Sequence, residues 1–294
     1  MVSPSSKSPR HAAVGIVYPS SSAPEERVAL GVARLEEWGL KPRFFRPAGP
    51  AEDFLASADA TRAAALQAAL DDETVSLIWA ARGGYGSVRL LPLLQLPVRR
   101  HPAILLGFSD VSLLLAEAAQ RHGWAAVHGP NVSTLPRLDG NSLGALRHFL
   151  ESETFLPIAG LRCVRPGRVR GPLLPMNLTM LLSVVGTPFE VDLEGAILVL
   201  EDTGEAPYRL DRMLQQLGYL ARSRCLAGLV IGDLAGFGEH PEIRRTIAAL
   251  ATRLEIPCCT GAPVGHGPAN WPLPVGSPGT LDSVVGRLDP DPIT

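Results

Sequence analysis

Apolar residues recur along this chain in two alternating rhythms. Short apolar runs read as strands, and longer stretches with apolar positions every third or fourth residue read as helices. Ala12–Tyr18 is apolar and stops at Pro19-Ser20-Ser21-Ser22, a strand ended by a polar turn. Val28, Val32, Leu35 and Trp38 then fall at helical spacing across Glu25–Trp38, and Gly39 marks the stop. Lys41–Phe45 predicts a strand, Thr61–Leu70 an Ala-rich helix and Val75–Ala80 a strand. Val88–Leu94 predicts a further helix, Ala103–Leu106 a strand and Val111–Arg121 a helix. This alternation predicts an α/β fold, an N-terminal parallel sheet with helices on both faces.

The pattern loosens near residue 150. Glu153–Gly171 is punctuated by proline and glycine. Regularity returns with helices at Asn177–Val185, Tyr208–Leu217 and Glu242–Leu254, and strands at Ala196–Leu200 and Gly228–Ile231. Pro257–Gly279 shows little regular pattern, and Leu281–Leu288 alternates like an edge strand. The expected division is a flexible tail over 1–11, an N-terminal domain over 12–155, a linker over 156–170 and a C-terminal domain over 171–294.

Composition narrows the function classes. The chain has 294 residues, 46% of them hydrophobic and 19% charged, so it can bury a sizeable core. A net charge of −2 without basic blocks argues against a nucleic-acid surface. No run is long enough to span a membrane, and the Ser/Pro-rich start does not read as a signal peptide. Cys163, Cys225, Cys258 and Cys259 lack Cys-x-x-Cys spacing, which argues against a disulfide framework or a structural zinc and predicts reduced thiols in a cytoplasmic protein; no other metal and no cofactor are expected.

The candidate chemistry starts at Gly107-Phe108-Ser109-Asp110. A strand, a sharp turn and a helix would hold one serine hydroxyl beside helix N-terminal amides. Position 111 is valine, so the Gly-x-Ser-x-Gly elbow is incomplete, and Ser109 or Asp110 serves equally as a helix N-cap. Arg82-Gly83-Gly84-Tyr85-Gly86 is a glycine-rich strand-to-helix turn whose backbone N–H groups can receive an anion. It lacks the spacing of a dinucleotide or phosphate loop. A tight turn without ligand is the plain alternative.

A serine nucleophile needs a base with a pKa near working pH, and there are seven histidines. His11 falls in the tail, while His101, His122, His148 and His240 sit in polar or helix-end contexts. His128 follows a strand and is a candidate to line a cleft. His266, in Gly265-His266-Gly267, lies in a glycine-flanked loop, where functional residues concentrate. Glu201 directly follows Ala196–Leu200 and suits the acid that orients the imidazole; Asp202 and Glu205 are close rivals. The same acidic segment also reads as a loop capping the next helix.

Four segments together resemble one family. Arg82-Gly83-Gly84-Tyr85-Gly86, Gly107-Phe108-Ser109-Asp110, Leu200-Glu201-Asp202 with Tyr208-Arg209-Leu210-Asp211-Arg212, and Gly265-His266-Gly267 with Leu273-Pro274-Val275-Gly276 resemble the L,D-carboxypeptidase family of serine peptidases. That family includes murein tetrapeptide carboxypeptidases and microcin C immunity enzymes. The resemblance implies a triad of Ser109, Glu201 and His266 and an oxyanion hole from the backbone of Gly84 and Asp110. It also implies an α/β N-terminal domain with a smaller β-rich C-terminal domain, an active site between them, a peptide or muropeptide substrate and a homodimer. Many members carry Gly-Gly-Asn-Leu where this chain has Pro175-Met176-Asn177-Leu178, which places Asn177 among the candidate substrate contacts. Arg82 and Arg212 are candidates for a substrate carboxylate, and Tyr85 for a further contact. Trp271 is a candidate to stack on a base if the substrate is an aminoacyl-nucleotide or acyl-sulfamoyl conjugate. The remaining alternative is a small-ligand-binding α/β protein without catalysis.

Overall fold

A computed structural model of the chain describes residues 13–223, 225–234 and 236–293. The tail expected over 1–11, with His11, lies outside the described residues. Five parallel strands open the fold: β1 (Ala13–Val17), β2 (Lys41–Phe45), β3 (Leu77–Ala80), β4 (Ile104–Gly107) and β5 (Ala125–His128). With β12 (Leu273–Pro274), antiparallel to β5, they make a sheet in the order β12-β5-β4-β3-β1-β2.

Strands β3 and β4 are buried at every position. A parallel strand covered by helices on both faces must be apolar throughout, which is why these strands read as continuous apolar runs. Alternation still sorts the faces. Val14, Ile16, Leu77, Trp79, Ile104 and Leu106 pack in one cluster, and Val17, Ile78, Ala80 and Leu105 in another. The first face is covered by α1 (Glu25–Glu37) and α4 (Gly140–Ser152), the second by α2 (Asp59–Asp71) and α3 (Ser112–His122). Gly31 of α1 lies so close to residue 132 that an added Cβ would sit 2.1 Å from the Val132 carbonyl oxygen. Gly31→Ala is therefore expected to cost about 2–3 kcal/mol of stability, measured by urea unfolding.

The second sheet has the order β6-β14-β13-β8-β9-β10-β11-β7. Its parallel centre is β8 (Arg168–Asn177), β9 (Ile197–Glu201), β10 (Gly228–Ile231) and β11 (Cys258–Thr260). Antiparallel flanks come from β6 (Ile158–Ala159), β7 (Arg162–Arg165), β13 (Pro278–Asp282) and β14 (Arg287–Pro290). Helices α5 (Leu178–Ser183), α6 (Pro207–Ser223) and α7 (Pro241–Leu254) complete this half. One apolar cluster runs from α2 and α3 through to β8–β10, α6 and α7, so the two sheets share a core. Among the described residues, no helix is long and apolar enough to cross a membrane.

Several sequence expectations need correction. Residues 156–170 do not form a bare linker; they hold β6, β7 and the start of β8, short strands whose prolines and glycines mark the turns between them. Leu281–Leu288 is not an edge strand. It spans the hairpin of β13 and β14, both interior to the sheet. Pro257–Gly279, read as irregular, contains β11 and β12. The helix expected at Val88–Leu94 is instead two single 3-10 turns, Ser87–Arg89 and Leu91–Leu93. Pro92 lacks the N–H a continuing helix would require.

Candidate active site

Both sheets present the C-terminal ends of their parallel strands to the same place, the usual location of sites in open α/β sheets. From the first sheet come the turn after β3 and the turn after β4. From the second come the ends of β8 and β9 and the loops after β10 and β11.

Ser109 leaves β4 through a sharp turn and starts the 3-10 turn Ser109–Val111 that leads into α3. Its φ is +65°, a left-handed conformation that a non-glycine residue adopts at a cost of about 1–3 kcal/mol. Crowding explains the neighbouring residues. A Cβ on Gly107 would meet Val111 Cγ1 at 2.9 Å, so the valine fills the space a second elbow glycine would leave open. A Cβ on Gly83 would meet Ser109 Cβ at 3.0 Å and Oγ at 3.3 Å, so the glycine turn lies directly against the hydroxyl.

Ser109 Oγ is 3.0 Å from His266 Nε2, and His266 Nδ1 is 2.6 Å from Glu201 Oε2. Glu201 is fully buried at the end of β9. Strand parity puts it on the same side as Ile197 and Val199, which pack in the cluster away from α6 and α7. Its second oxygen accepts from Asn177 Nδ2 at 3.1 Å. Asn177 ends β8 directly opposite Glu201, and its own Oδ1 caps α5 by accepting from the Met180 N–H at 3.1 Å. The two rival acids are engaged elsewhere. Asp202 accepts from the Thr179 N–H and hydroxyl and from the Thr203 N–H, and burial pushes its carboxyl up. Glu205 pairs with Arg209.

The His266 loop is shaped by Asp233, a residue the sequence reading did not single out. Asp233 Oδ2 accepts from the Gly267 N–H at 2.9 Å, and a Cβ on Gly265 (φ +146°) would meet Asp233 Cβ at 2.6 Å. Its position two residues beyond the apolar run of β10, as Glu201 closes the apolar run of β9, was the available signal. Arg137 donates to the His266 carbonyl oxygen at 3.3 Å. Burial disfavours the charged imidazole of His266, but the Glu201 hydrogen bond and the charges of Glu201, Asp202 and Asp233 outweigh it, so its pKa is raised.

His128 does not line a cleft. It ends β5 wholly buried, with neither ring nitrogen partnered among the described residues, and burial holds it neutral by lowering its pKa to about 4. The Phe108 ring lies between it and His266, with centroids 6.0 and 4.9 Å away.

The other candidates fall into place around this centre. Gly84 has φ +108°, and a Cβ there would sit 2.4 Å from Ser21 Oγ. Asp110 is buried, and its carboxylate accepts from Ser20 Oγ at 2.5 Å and from the Ser87 and Gly86 N–H groups at 2.8 and 3.2 Å. Tyr85 is exposed and stacks edge-on against Phe54, and Arg82 is exposed and donates to the Ser22 carbonyl. Arg212 lines a separate surface cleft of about 480 Å³ with Thr179, Glu205 and Tyr208; neither Ser109 nor His266 borders it. Trp271 is half-buried against the apolar cluster of the second sheet, and its backbone N–H donates to the Pro263 carbonyl.

Known proteins match this architecture over nearly its whole length. Residues 14–129 match the LD-carboxypeptidase N-terminal domain and residues 170–281 the LD-carboxypeptidase C-terminal domain. The murein tetrapeptide carboxypeptidase of Pseudomonas aeruginosa is 32% identical over 289 residues, 92% of each chain. The crystal structure of muramoyltetrapeptide carboxypeptidase from Oxalobacter formigenes superposes with a TM-score of 0.82 at 28% identity, over 96% of this chain and 98% of that one. An MccF-like protein from Bacillus anthracis shares the fold with a TM-score of 0.86 at 24% identity, over 96% and 97% of the two chains. With both of its domains matched and a relative this similar across its length, the chain belongs to the LD-carboxypeptidase family and is a serine-type carboxypeptidase.

Proposed function

We infer that this carboxypeptidase removes the terminal D-residue of murein tetrapeptides by hydrolysing an L,D-peptide bond through an acyl-enzyme. The observation that carries this reading is the unbroken relay Glu201–His266–Ser109, with contacts of 2.6 and 3.0 Å. Its murein component rests on the 32% identical relative.

In this mechanism His266 Nε2 takes the Ser109 proton as Oγ attacks the scissile carbonyl. Glu201 holds the Nδ1–H and stabilises the imidazolium without itself taking a proton. The N–H groups of Gly84 and Asp110 receive the developing oxyanion, a contribution worth about 3–4 kcal/mol per donor in comparable sites. The tetrahedral intermediate collapses as His266 returns the proton to the amine of the departing D-residue. Water then attacks the acyl-enzyme with His266 again as base. The site would be completed by both halves of the chain, the nucleophile from 12–155 and the acid and base from 171–294.

The pH dependence follows from the raised His266 pKa. The base must be neutral, and it is protonated below its pKa, so activity rises with pH through that value. The acid limb of kcat/KM is expected above the ordinary histidine value of about 6.5. A limb at or below that value would contradict Glu201 as the partner of His266.

Substrate class is tested by incubating the protein with a muropeptide tetrapeptide and, separately, with an aminoacyl-sulfamoyl adenosine, and weighing the products. Loss of one alanine residue from the tetrapeptide is expected. Cleavage of the sulfamoyl conjugate alone would reassign the substrate while keeping the chemistry.

A further inference from the structure

Two buried charges near the site take no part in the proton relay. Arg62, on α2, is only 1% exposed. Its Nη1 donates to the Pro19 carbonyl and, at 3.0 Å, to the Gly86 carbonyl, and its Nε donates to the Ser57 carbonyl at 3.0 Å. Its Nη2 pairs with Asp59, which is also paired with Arg89. Asp110 is equally buried and accepts from Ser20 Oγ, the Gly86 N–H and the Ser87 N–H. The Ser87 hydroxyl closes the arrangement by donating to the Asp110 carbonyl at 2.5 Å.

The two side chains therefore grip the same two segments from opposite ends. Each holds the loop after β1, Arg62 at Pro19 and Asp110 at Ser20. Each holds the glycine turn at Gly86, Arg62 by its carbonyl and Asp110 by its N–H. Between these anchors lies Gly84, packed on Ser21, whose N–H donates to the Gly83 carbonyl and whose hydroxyl accepts from the Tyr85 N–H. Asp110 is also the residue after Ser109. One carboxylate thus ties the turn beside the nucleophile to the nucleophile's own backbone.

We propose that Arg62 and Asp110 are positioning residues, a buried ionic clasp that fixes the glycine turn relative to Ser109 and so presets the oxyanion hole. This rests on the serine-hydrolase reading above. Preset donors need not reorganise as charge develops on the substrate oxygen, so the clasp acts on the transition state more than on substrate binding. Arg62 has a second effect. An Asp110 carboxylate alone would oppose a nearby oxyanion, and the guanidinium at the far end of the Gly86 peptide offsets it.

The test compares Asp110→Asn, Arg62→Lys and Ser20→Ala with the unaltered enzyme. An asparagine cannot accept at both ends, a lysine cannot grip Pro19 and Gly86 together, and an alanine at position 20 removes a single arm. For the first two, kcat is expected to fall about 10- to 100-fold with KM within two-fold, and for Ser20→Ala about 3- to 10-fold. Affinity for a peptide boronic acid, which forms a tetrahedral anion on Ser109, is expected to fall by the same factors. Circular dichroism shows whether each variant is folded. If Asp110→Asn does not fold, the two milder variants decide. Folded variants that keep both kcat and boronic-acid affinity, or that raise KM alone, overturn the clasp. Ser109→Ala separates the two readings: turnover that survives it overturns the serine mechanism itself, whereas turnover lost there but intact in the clasp variants overturns only the clasp.

Discussion

Ser109→Ala is expected to lower kcat by about 10⁴- to 10⁶-fold while leaving the fold and substrate binding in place. The large effect follows from what the hydroxyl does. It forms the covalent bond, and without it neither His266 nor the oxyanion donors have a reaction to assist, so removing the nucleophile costs as much as removing the whole relay. Folding should survive because Ser109 is only half-buried and, among the described residues, its hydroxyl bonds to His266. Alanine has the same trouble with φ +65° as serine, so the turn gains no new strain. Release of D-alanine from a tetrapeptide, followed with circular dichroism, provides the measurement. A folded variant that retains a tenth of the activity would exclude Ser109 as nucleophile.

Glu201→Gln is expected to lower kcat by about 10³- to 10⁴-fold, more than loss of one charge would suggest. The reason is Asn177. Its amide nitrogen donates to one Glu201 oxygen while His266 Nδ1 meets the other. A glutamine has one acceptor and one donor end. If its oxygen faces His266, its NH₂ confronts the Asn177 NH₂, two buried donors with no acceptor between them. The favoured arrangement turns the oxygen to Asn177 and the NH₂ to His266. That forces Nδ1 to accept and moves the imidazole proton to Nε2, where it blocks removal of the Ser109 proton. Adding Asn177→Asp should reverse the choice, because an aspartate accepts from the glutamine NH₂ and still caps Met180. Partial recovery of kcat in the double variant is expected, and the acid limb of the pH profile should move down in Glu201→Gln. Equal activity in the single and double variants would remove Asn177 as the group that orients the acid.

Much of the first sheet was legible because its signals are local. Continuous apolar runs mark β3 and β4, helical spacing marks α1, and the turn at Gly107-Phe108-Ser109 appears in three residues. The second sheet was less legible. Strands β6, β7 and β14 span two to four residues each and are partly exposed, so no apolar run announces them. Their identity comes from backbone pairing with distant strands, which carries no local pattern. Asn177 reads from the sequence as a candidate substrate contact, because it stands where many family members carry Gly-Gly-Asn-Leu. Its bond to Glu201 depends on the parallel register of β8 and β9.

By itself the sequence determined where strands end and which polar residues stand at those ends, because local sterics and apolar periodicity act over a few residues. It favoured Glu201 with Asp202 and Glu205 as close rivals, and His266 among seven histidines, without a distance between any of them. The tertiary structure decided among them. Successive residues at a strand end point to opposite faces, so one position separates Glu201, aimed at His266, from Asp202, turned to Thr179. His266 meets Ser109 across 157 residues of chain only because two sheets bring the ends of their parallel strands together. Such a distance is set by the packing of the shared core, to which residues far from the site contribute.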